Sequence, residues 1–359
     1  MEMATYRRIE NMLNLLFFGR WIIIVLLFAR PAHAGADDQY YLISSGTGAI
    51  HKYSLTGDFI SDLVPANANQ LGNPQHMVIR DGKVFVPGYA NNKLARIDLH
   101  TGVIEAQWDL DGARGTAFLR ESMDGTELWV SSITSARILR VDPMTGSVLG
   151  DLITAGLIPG PHGIIDGPDD SLLVAGGDKV IYQVNGHDDV VPLISVPLSN
   201  RPTNMIMLND NTLLLTAFAS NIERSLRSYN TTTGEDLGRY SDTQGSRADG
   251  LVRGYNNEIL AVFWGSSSIA RYNDTGDFLG YLVAPGSQLS GPNHIILVTE
   301  PPTPCPADLT ADGILDFFDV SAFLQAFATA DPIADFTDDG IFDFFDISAF
   351  LSAFAQGCP

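Results

Sequence analysis

The chain has 359 residues, of which 45% are hydrophobic and 18% charged, with a formal net charge of −21 and two cysteines. That length exceeds one typical domain, and the hydrophobic fraction is that of a globular protein. The 21 Lys and Arg against 42 Asp and Glu argue against a nucleic-acid partner, because phosphate binding needs clustered cations; two cysteines exclude a disulfide-dense or Cys-rich zinc scaffold.

At the N-terminus, a nine-residue apolar run (Trp21 to Ala29) follows a basic stretch and precedes Ala32-His33-Ala34, an A-x-A pattern. This predicts a signal peptide over 1–34, cleaved after Ala34. A start at Met12 would give its basic region a more usual length. The run is short of the roughly 20 apolar residues that span a bilayer, so no membrane span is expected after cleavage. The mature protein is expected to be secreted or held at the cell surface.

Residues 35–300 are repetitive. A strand, Thr-Gly, strand segment recurs in IHKYSLTGDF, LARIDLHTGVI, ILRVDPMTGSV, LRSYNTTTGED and IARYNDTGDF. Its glycines, Gly57, Gly102, Gly146, Gly234 and Gly276, lie 45, 44, 88 and 42 residues apart. The double interval holds VIYQVNGHDDV, which predicts a sixth copy with Gly186 in its turn. A period of about 44 residues is that of a four-stranded propeller blade.

A second landmark, a Gly/Pro turn, a polar residue and a short apolar run, precedes each blade's first strand: GNPQHMVI, GARGTAFL, PGPHGIID, NRPTNMIM, SRADGLVR and SGPNHIIL. Its polar positions read His76, Arg114 or Thr116, His162, Asn204, Asp249 and His294. The last such strand, Pro292 to Val298, has no partners after it, and the first segment, Tyr40 to Leu63, has no landmark strand before it. Together they complete a sixth blade, a closure that leaves the ring no open edge. The pattern P-x-x-apolar … G-x-apolar-x-V … T-G resembles NHL-type and YVTN-type propellers, a resemblance that implies fold rather than activity.

Glu300-Pro301-Pro302-Thr303-Pro304 reads as a stiff spacer, with the Pro-rich linker at 301–304. Beyond it, residues 305–359 hold ten Asp and no Lys, Arg or Glu. DLTADGILDFFD (308–319) and DFTDDGIFDFFD (335–346) match a calcium loop. The expected ligands are Asp308, Thr310, Asp312, the Ile314 carbonyl, Asp316 and Asp319 in the first loop. In the second they are Asp335, Thr337, Asp339, the Ile341 carbonyl, Asp343 and Asp346. Hard oxygen donors around a glycine-permitted sharp turn suit Ca²⁺, hence two sites. Each loop runs into a helix with apolar residues at i, i+3, i+4 and i+7: Val320, Phe323, Leu324, Phe327, then Ile347, Phe350, Leu351, Phe354. Each unit is half of an EF-hand.

The duplicated loop and helix, with Asp at position twelve, resembles a dockerin, and more narrowly the GC-type dockerin that ends exported bacterial proteins with Cys-Pro. The resemblance implies a cohesin-like or cell-envelope partner and a disulfide between Cys305 and Cys358, which bracket the module. Positions ten and eleven, which select the partner in cellulosomal dockerins, are Phe317-Phe318 and Phe344-Phe345. In a module this short of core, these pairs are expected under the helices, ahead of a docking surface.

The expected fold is thus an all-β six-bladed propeller plus a small all-α calcium-binding domain. The expected function is an exported binding or scaffold propeller for an unidentified ligand, attached through its tail. The alternative is an exported lyase or hydrolase, within a polysaccharide-degrading system by association. His76, His162 and His294 with Asn204 and Asp249 have the chemistry of an open divalent-metal site at the channel mouth. The same residue types also satisfy backbone groups at tight turns, and the residues leave both readings open.

Overall fold

The computed structural model describes residues 39–66, 68–196, 201–217, 225–242, 244–299, 306–310, 315–337 and 339–356. The expected signal peptide, the Pro-rich linker, Cys305, Cys358, Asp312 and Ile314 lie outside the described residues. No described helix is long and apolar enough to cross a membrane.

The strands form six four-stranded antiparallel sheets, five of them built from consecutive strands. Blades 1 to 5 cover residues 78–109, 116–153, 164–195, 202–242 and 248–283. Blade 6 is the closure read from the sequence: Pro292–Val298 is its inner strand and pairs with Tyr40–Ser45, followed by Ile50–Tyr53 and Phe59–Val64. The inner pairing runs from Tyr40↔Val298 to Ser44↔His294. It joins the two ends of the propeller with main-chain hydrogen bonds, so no inner edge is left open.

The core lies between blades. Leu42, Ile50 and Val64 of blade 6 pack with Val84, Val86 and Ile97 of blade 1. On the other side Tyr41, Ile43 and Tyr53 of blade 6 meet Leu260, Val262 and Ile269 of blade 5. Each strand therefore sends alternate side chains to opposite neighbours, and both sets are buried. This accounts for near-continuous apolar runs such as TLLLTA and ILAVF.

The repeated Thr-Gly turn has a further purpose. Gly102 has φ +70°, and a Cβ there would run into the carbonyl of Leu63 in the outer strand of blade 6. Gly276 repeats the arrangement at φ +89° against the carbonyl of Tyr240 in blade 4. The turn of each blade thus seats on the preceding blade's outer strand, where only glycine fits both the backbone and the space. Blade 3 departs from the expectation. Gly186 is a strand residue paired with Asp189, and the left-handed turn residue is Asp188, at φ +57°. Asp188 reaches the same place by other means: its N–H donates to Leu152, and its carboxylate accepts from Thr154 N and Oγ1, both at 2.7 Å. Asp tolerates this conformation better than most residues.

In the tail, helices Phe317–Ala328 and Phe344–Gln356 each follow one loop, with only the short 3-10 turn Pro332–Ala334 between the first helix and the second loop. Phe323 and Phe350 stack at 4.1 Å with planes 2° apart, and Phe336 meets both edge-on at 5.6 and 5.4 Å.

Candidate ligand-binding channel and calcium loops

The six inner strand pairs, five hairpins and the blade 6 closure counted from its Tyr40↔Val298 end, share a register that identifies equivalent positions. The third pair from each turn is Val78↔Phe85, Leu119↔Val130, Ile164↔Val174, Ile206↔Leu214, Leu251↔Ala261 and Ile296↔Leu42. Two residues earlier stand His76, Ala117, His162, Asn204, Asp249 and His294. Five are the predicted polar positions. Blade 2 is the correction: neither Arg114 nor Thr116 joins the ring. In this register the blade 2 position is Ala117, and Thr116 beside it is buried, its hydroxyl donating to Gly88 O at 2.9 Å.

His162, Asn204 and His294 are buried, while His76 and Asp249 are half-buried. His294 Nδ1 accepts from Met77 N at 3.1 Å, and His294 N donates to Ser44 Oγ. Asn204 Oδ1 accepts from Met205 N at 2.6 Å. The Phe118, His76 and His294 rings lie in series, with centroids 3.7 and 3.6 Å apart. Nδ1 of His76 and Nδ1 of His162 are buried without a hydrogen bond.

Burial decides the ring's charge. It holds His294 down at about 3, and it holds His162 at about 3 with Arg201 adding to the effect. Burial, then His294, lowers His76 well below the usual histidine range. The three imidazoles are therefore neutral at pH 7. Burial pushes Asp249 up to about 7, with Arg201 opposing. Among the described residues no group of three or more His, Cys, Asp or Glu is arranged to hold a metal ion.

A cavity of about 730 Å³ runs from this level towards the inner-hairpin turns. All six blades line it. His76, Asn204 and His294 reach its inner end with Phe118; His162 and Asp249 do not line it. Ile79, Leu119, Ile165, Ile206, Leu251 and Ile296 contribute to the walls, and Arg120, Glu121, Asp166, Asp170 and Arg253 to the rim. The cavity thus opens at the turn end of the inner strands, whereas the landmark pattern pointed to their starts. Phe118 and the wall positions were absent from the expected site. Their signal, the apolar run after each polar landmark, is the same as that of any buried strand.

Both Asp-rich loops of the tail close in the same way. Asp346 is buried and accepts from Thr337 N, Thr337 Oγ1 and Asp343 N at 3.1, 3.0 and 2.9 Å. Asp319 is buried and accepts from Thr310 N, Thr310 Oγ1 and Asp316 N at 3.1, 2.9 and 2.9 Å. Asp316 and Asp343 cap their helices through Phe318 N and Phe345 N, each at 2.7 Å. Asp335 accepts from Asp339 N and from Gly340 N, and Gly340 turns at φ +75°. Ile341 is exposed and its N donates to Asp339 Oδ1 at 2.8 Å. In the first loop Asp308 lies 3.2 Å from the Thr310 hydroxyl. The donor types, carboxylate and hydroxyl oxygens around a tight turn, are those of a hard divalent cation's site, while no three of the described carboxylates converge on one point.

The Phe pairs overturn an expectation. Phe317, Phe318, Phe344 and Phe345 are 76, 66, 73 and 67% exposed, and Leu324 and Leu351 are 54 and 51% exposed. Two helices and two loops cover only one narrow stripe. Phe323 and Phe350 fill it, with Val320, Phe327, Ile347 and Phe354 at its edges. The first-turn Phe pairs and the i+4 leucines fall outside it.

No family model matches the chain, and no curated protein matches it. Solved structures do. A protein of unknown function from Bacteroides caccae matches at 15% identity and TM-score 0.58 over 73% of this chain and 99% of that one. A chain of a nidogen/laminin complex matches at 12% identity and TM-score 0.57 over 73% of this chain and 100% of that one. A catalytically inactive virginiamycin B lyase from Staphylococcus aureus, with quinupristin, matches at 20% identity and TM-score 0.50 over 64% of this chain and 75% of that one. These likenesses establish the propeller fold, and propellers of one shape serve different functions.

Proposed function

We propose that this is an exported binding protein: the propeller offers its channel cavity to a ligand, and the tail attaches the molecule to a partner in a calcium-dependent manner. The observation that carries the reading is the duplicated loop closure. Asp319 and Asp346 make the same three hydrogen bonds in two twelve-residue loops. Two copies of one cation-binding geometry would give such a repeat. In this reading Asp308, Thr310, Asp312, Asp316 and Asp319, and their counterparts Asp335, Thr337, Asp339, Asp343 and Asp346, supply side-chain oxygens, and Ile314 and Ile341 supply carbonyls. Calcium neutralises carboxylates that would otherwise repel one another.

The partner is a cohesin-like or cell-envelope protein, and the exposed Phe317-Phe318 and Phe344-Phe345 pairs are the surface it meets. A disulfide between Cys305 and Cys358 ties the module's ends; by the chain-entropy model a loop of this length contributes about 4 kcal/mol. An enzymatic reading, a lyase or hydrolase with a divalent metal held by the channel histidines, has less support. His162 does not line the cavity, and His294 Nδ1 already accepts from Met77 N.

The test uses the mature protein and an envelope fraction of the cell that makes it. Retention is expected with calcium and lost with chelator or in the double variant Asp319→Asn, Asp346→Asn. Calorimetry should count two calcium ions per chain. Retention that survives both chelator and double variant sinks the attachment reading.

A further inference from the structure

The two ends of the propeller differ in charge. Its hairpin loops, between first and second strands and between third and fourth, hold Asp or Glu in all but one and Lys or Arg in none. The described loops at the opposite end, where the inner strands start, hold Asp111 and Asp178 against Arg114, Lys179, Arg201 and Arg247. In a chain of net charge −21 that end is the exception. We infer that it binds a ring-bearing organic anion, whose oxyanion groups are held by Arg201 at the centre and by Arg114 and Arg247 around it. The site is separate from the channel cavity, which none of these three arginines lines.

The arginines share a place in the repeat. Arg114 and Arg201 stand five residues before Leu119 and Ile206 of the third inner pair, and Arg247 four before Leu251. The corresponding residues of blades 1, 3 and 6 are Asn73, Pro159 and Gly291, none of them acidic.

Their charge is unmatched. Arginines on the strands have carboxylate partners, as Arg120 has Asp166 at 2.8 Å and Arg96 has Glu105 at 3.1 Å. The guanidinium groups of Arg114 and Arg201 have no hydrogen-bond or ion-pair partner among the described residues. Arg114 is exposed and Arg201 half-buried. No nitrogen of Arg201 is both buried and unpaired, so its guanidinium is open to solvent. Arg201 acts on His162 of blade 3 and on Asp249 of blade 5 alike, which places it over the channel between them. Neither cancels it, since His162 is neutral at pH 7 and Asp249 is only partly ionised there. The planar fork of such a guanidinium donates two parallel hydrogen bonds to a carboxylate, sulfonate or phosphate.

Aromatic rings flank the arginines. Tyr89 and Trp264 each follow a second strand, Lys83–Gly88 and Ile259–Phe263. A Cβ on Gly115, next to Arg114, would lie 3.2 Å from the Tyr89 ring, and one on Gly291 would lie 3.1 Å from that of Trp264. Each ring therefore rests against the entry glycine of the following blade. The Arg247 guanidinium sits 5.2 Å from the Trp264 centroid, and Tyr89 is exposed. These rings offer a flat body a surface that a bare inorganic anion would leave unused.

Calorimetry on the full chain with calcium, at pH 7 and low ionic strength, compares naphthalene-1,3,6-trisulfonate, naphthalene-2-sulfonate and 2-naphthol, which share a body and differ in charge. Inorganic sulfate serves as the anion without a body. The trisulfonate is expected to bind about tenfold more tightly than the monosulfonate, with naphthol and sulfate weaker still. Arg201→Gln should weaken the trisulfonate about tenfold, and Arg114→Gln and Arg247→Gln about threefold each. Arg114 and Arg247 are exposed, so their variants carry the test should Arg201→Gln fail to fold. Arg96→Gln removes the same charge from a blade and should leave binding unchanged. Naphthol binding as tightly as the trisulfonate, all three start-end variants matching the parent, or no binding by any compound overturns the proposal. An equal loss in Arg96→Gln reduces the attraction to net charge and also overturns it. Sulfate binding as tightly as the trisulfonate overturns the ring-bearing class.

Discussion

The propeller and the tail are both repeats, yet they hold their repeats together differently. In the ring, most turns seat on main chain, as Gly102 does against the Leu63 carbonyl and Gly276 against that of Tyr240, while Gly146 of blade 2 sits on the Trp108 ring. In the tail, the two units meet through side chains, the Phe323–Phe350 stack. Main-chain seating leaves side chains free to vary, so six blades keep one geometry while their channel residues differ. Side-chain seating commits the module's two buried aromatics to one contact, and the first-turn Phe pairs are left outside.

The largest expected effect breaks the tail's contact. Phe350→Ala should cost about 3–5 kcal/mol of tail stability, the usual range for a buried aromatic, seen as lost helix signal and protease resistance of residues 306–356. Gly102→Ala should cost about 2–3 kcal/mol, as strain and a steric clash combine. Its control is Gly186→Ala, where nothing lies within 4 Å of the added carbon; that variant should melt within about 0.5 kcal/mol of the parent. Equal losses at the two glycines would refute main-chain seating.

Ionisation gives a third comparison. Asp249 is held up at about 7 in the folded state, above the ordinary carboxylate value. The folded protein therefore binds this proton more tightly than the unfolded chain. Stability from this group is complete below about pH 4 and is lost as pH rises through 7. Asp249→Asn should gain on the parent by about 1–2 kcal/mol between pH 4 and 8, discounted for partial exposure. The buried histidines act in the opposite sense, adding stability as pH rises from about 3 towards the ordinary histidine value. Melting curves of parent and variant across this range separate the two; parallel curves would remove the raised Asp249.

Asp188→Ala removes two hydrogen bonds to Thr154 and should cost about 1–2 kcal/mol, showing whether a carboxylate replaces the glycine seat in blade 3. The smallest effect on stability is expected for Phe317→Ser with Phe344→Ser, within about 0.5 kcal/mol, since both side chains are exposed. Envelope retention should nonetheless fall. Unchanged retention would return those residues to the role of incidental surface.

Much of the architecture was legible in the residues. A 44-residue spacing of turn glycines, an unpaired strand at each end and a twice-written loop pattern define the blade number, the closure and the loop–helix units. Such features are local or periodic, and backbone conformation at a glycine or an Asp-closed turn depends mostly on near neighbours. The channel was only partly legible. His76, Asn204 and His294 reach the cavity as their landmark suggested, but strand pairing puts Ala117, and not Arg114 or Thr116, at the equivalent place in blade 2. A degenerate landmark does not fix register; the pairing of the strand does. Nor could the residues say that the cavity opens at the hairpin-turn end, because six strands distant in sequence converge there. Apolar Phe pairs announce burial, yet whether they are buried depends on how much neighbouring chain is available to cover them. Sequence therefore determined which elements form and how often they recur; tertiary structure alone decided which faces were left uncovered, since burial is a property of the assembled neighbours and not of the residue.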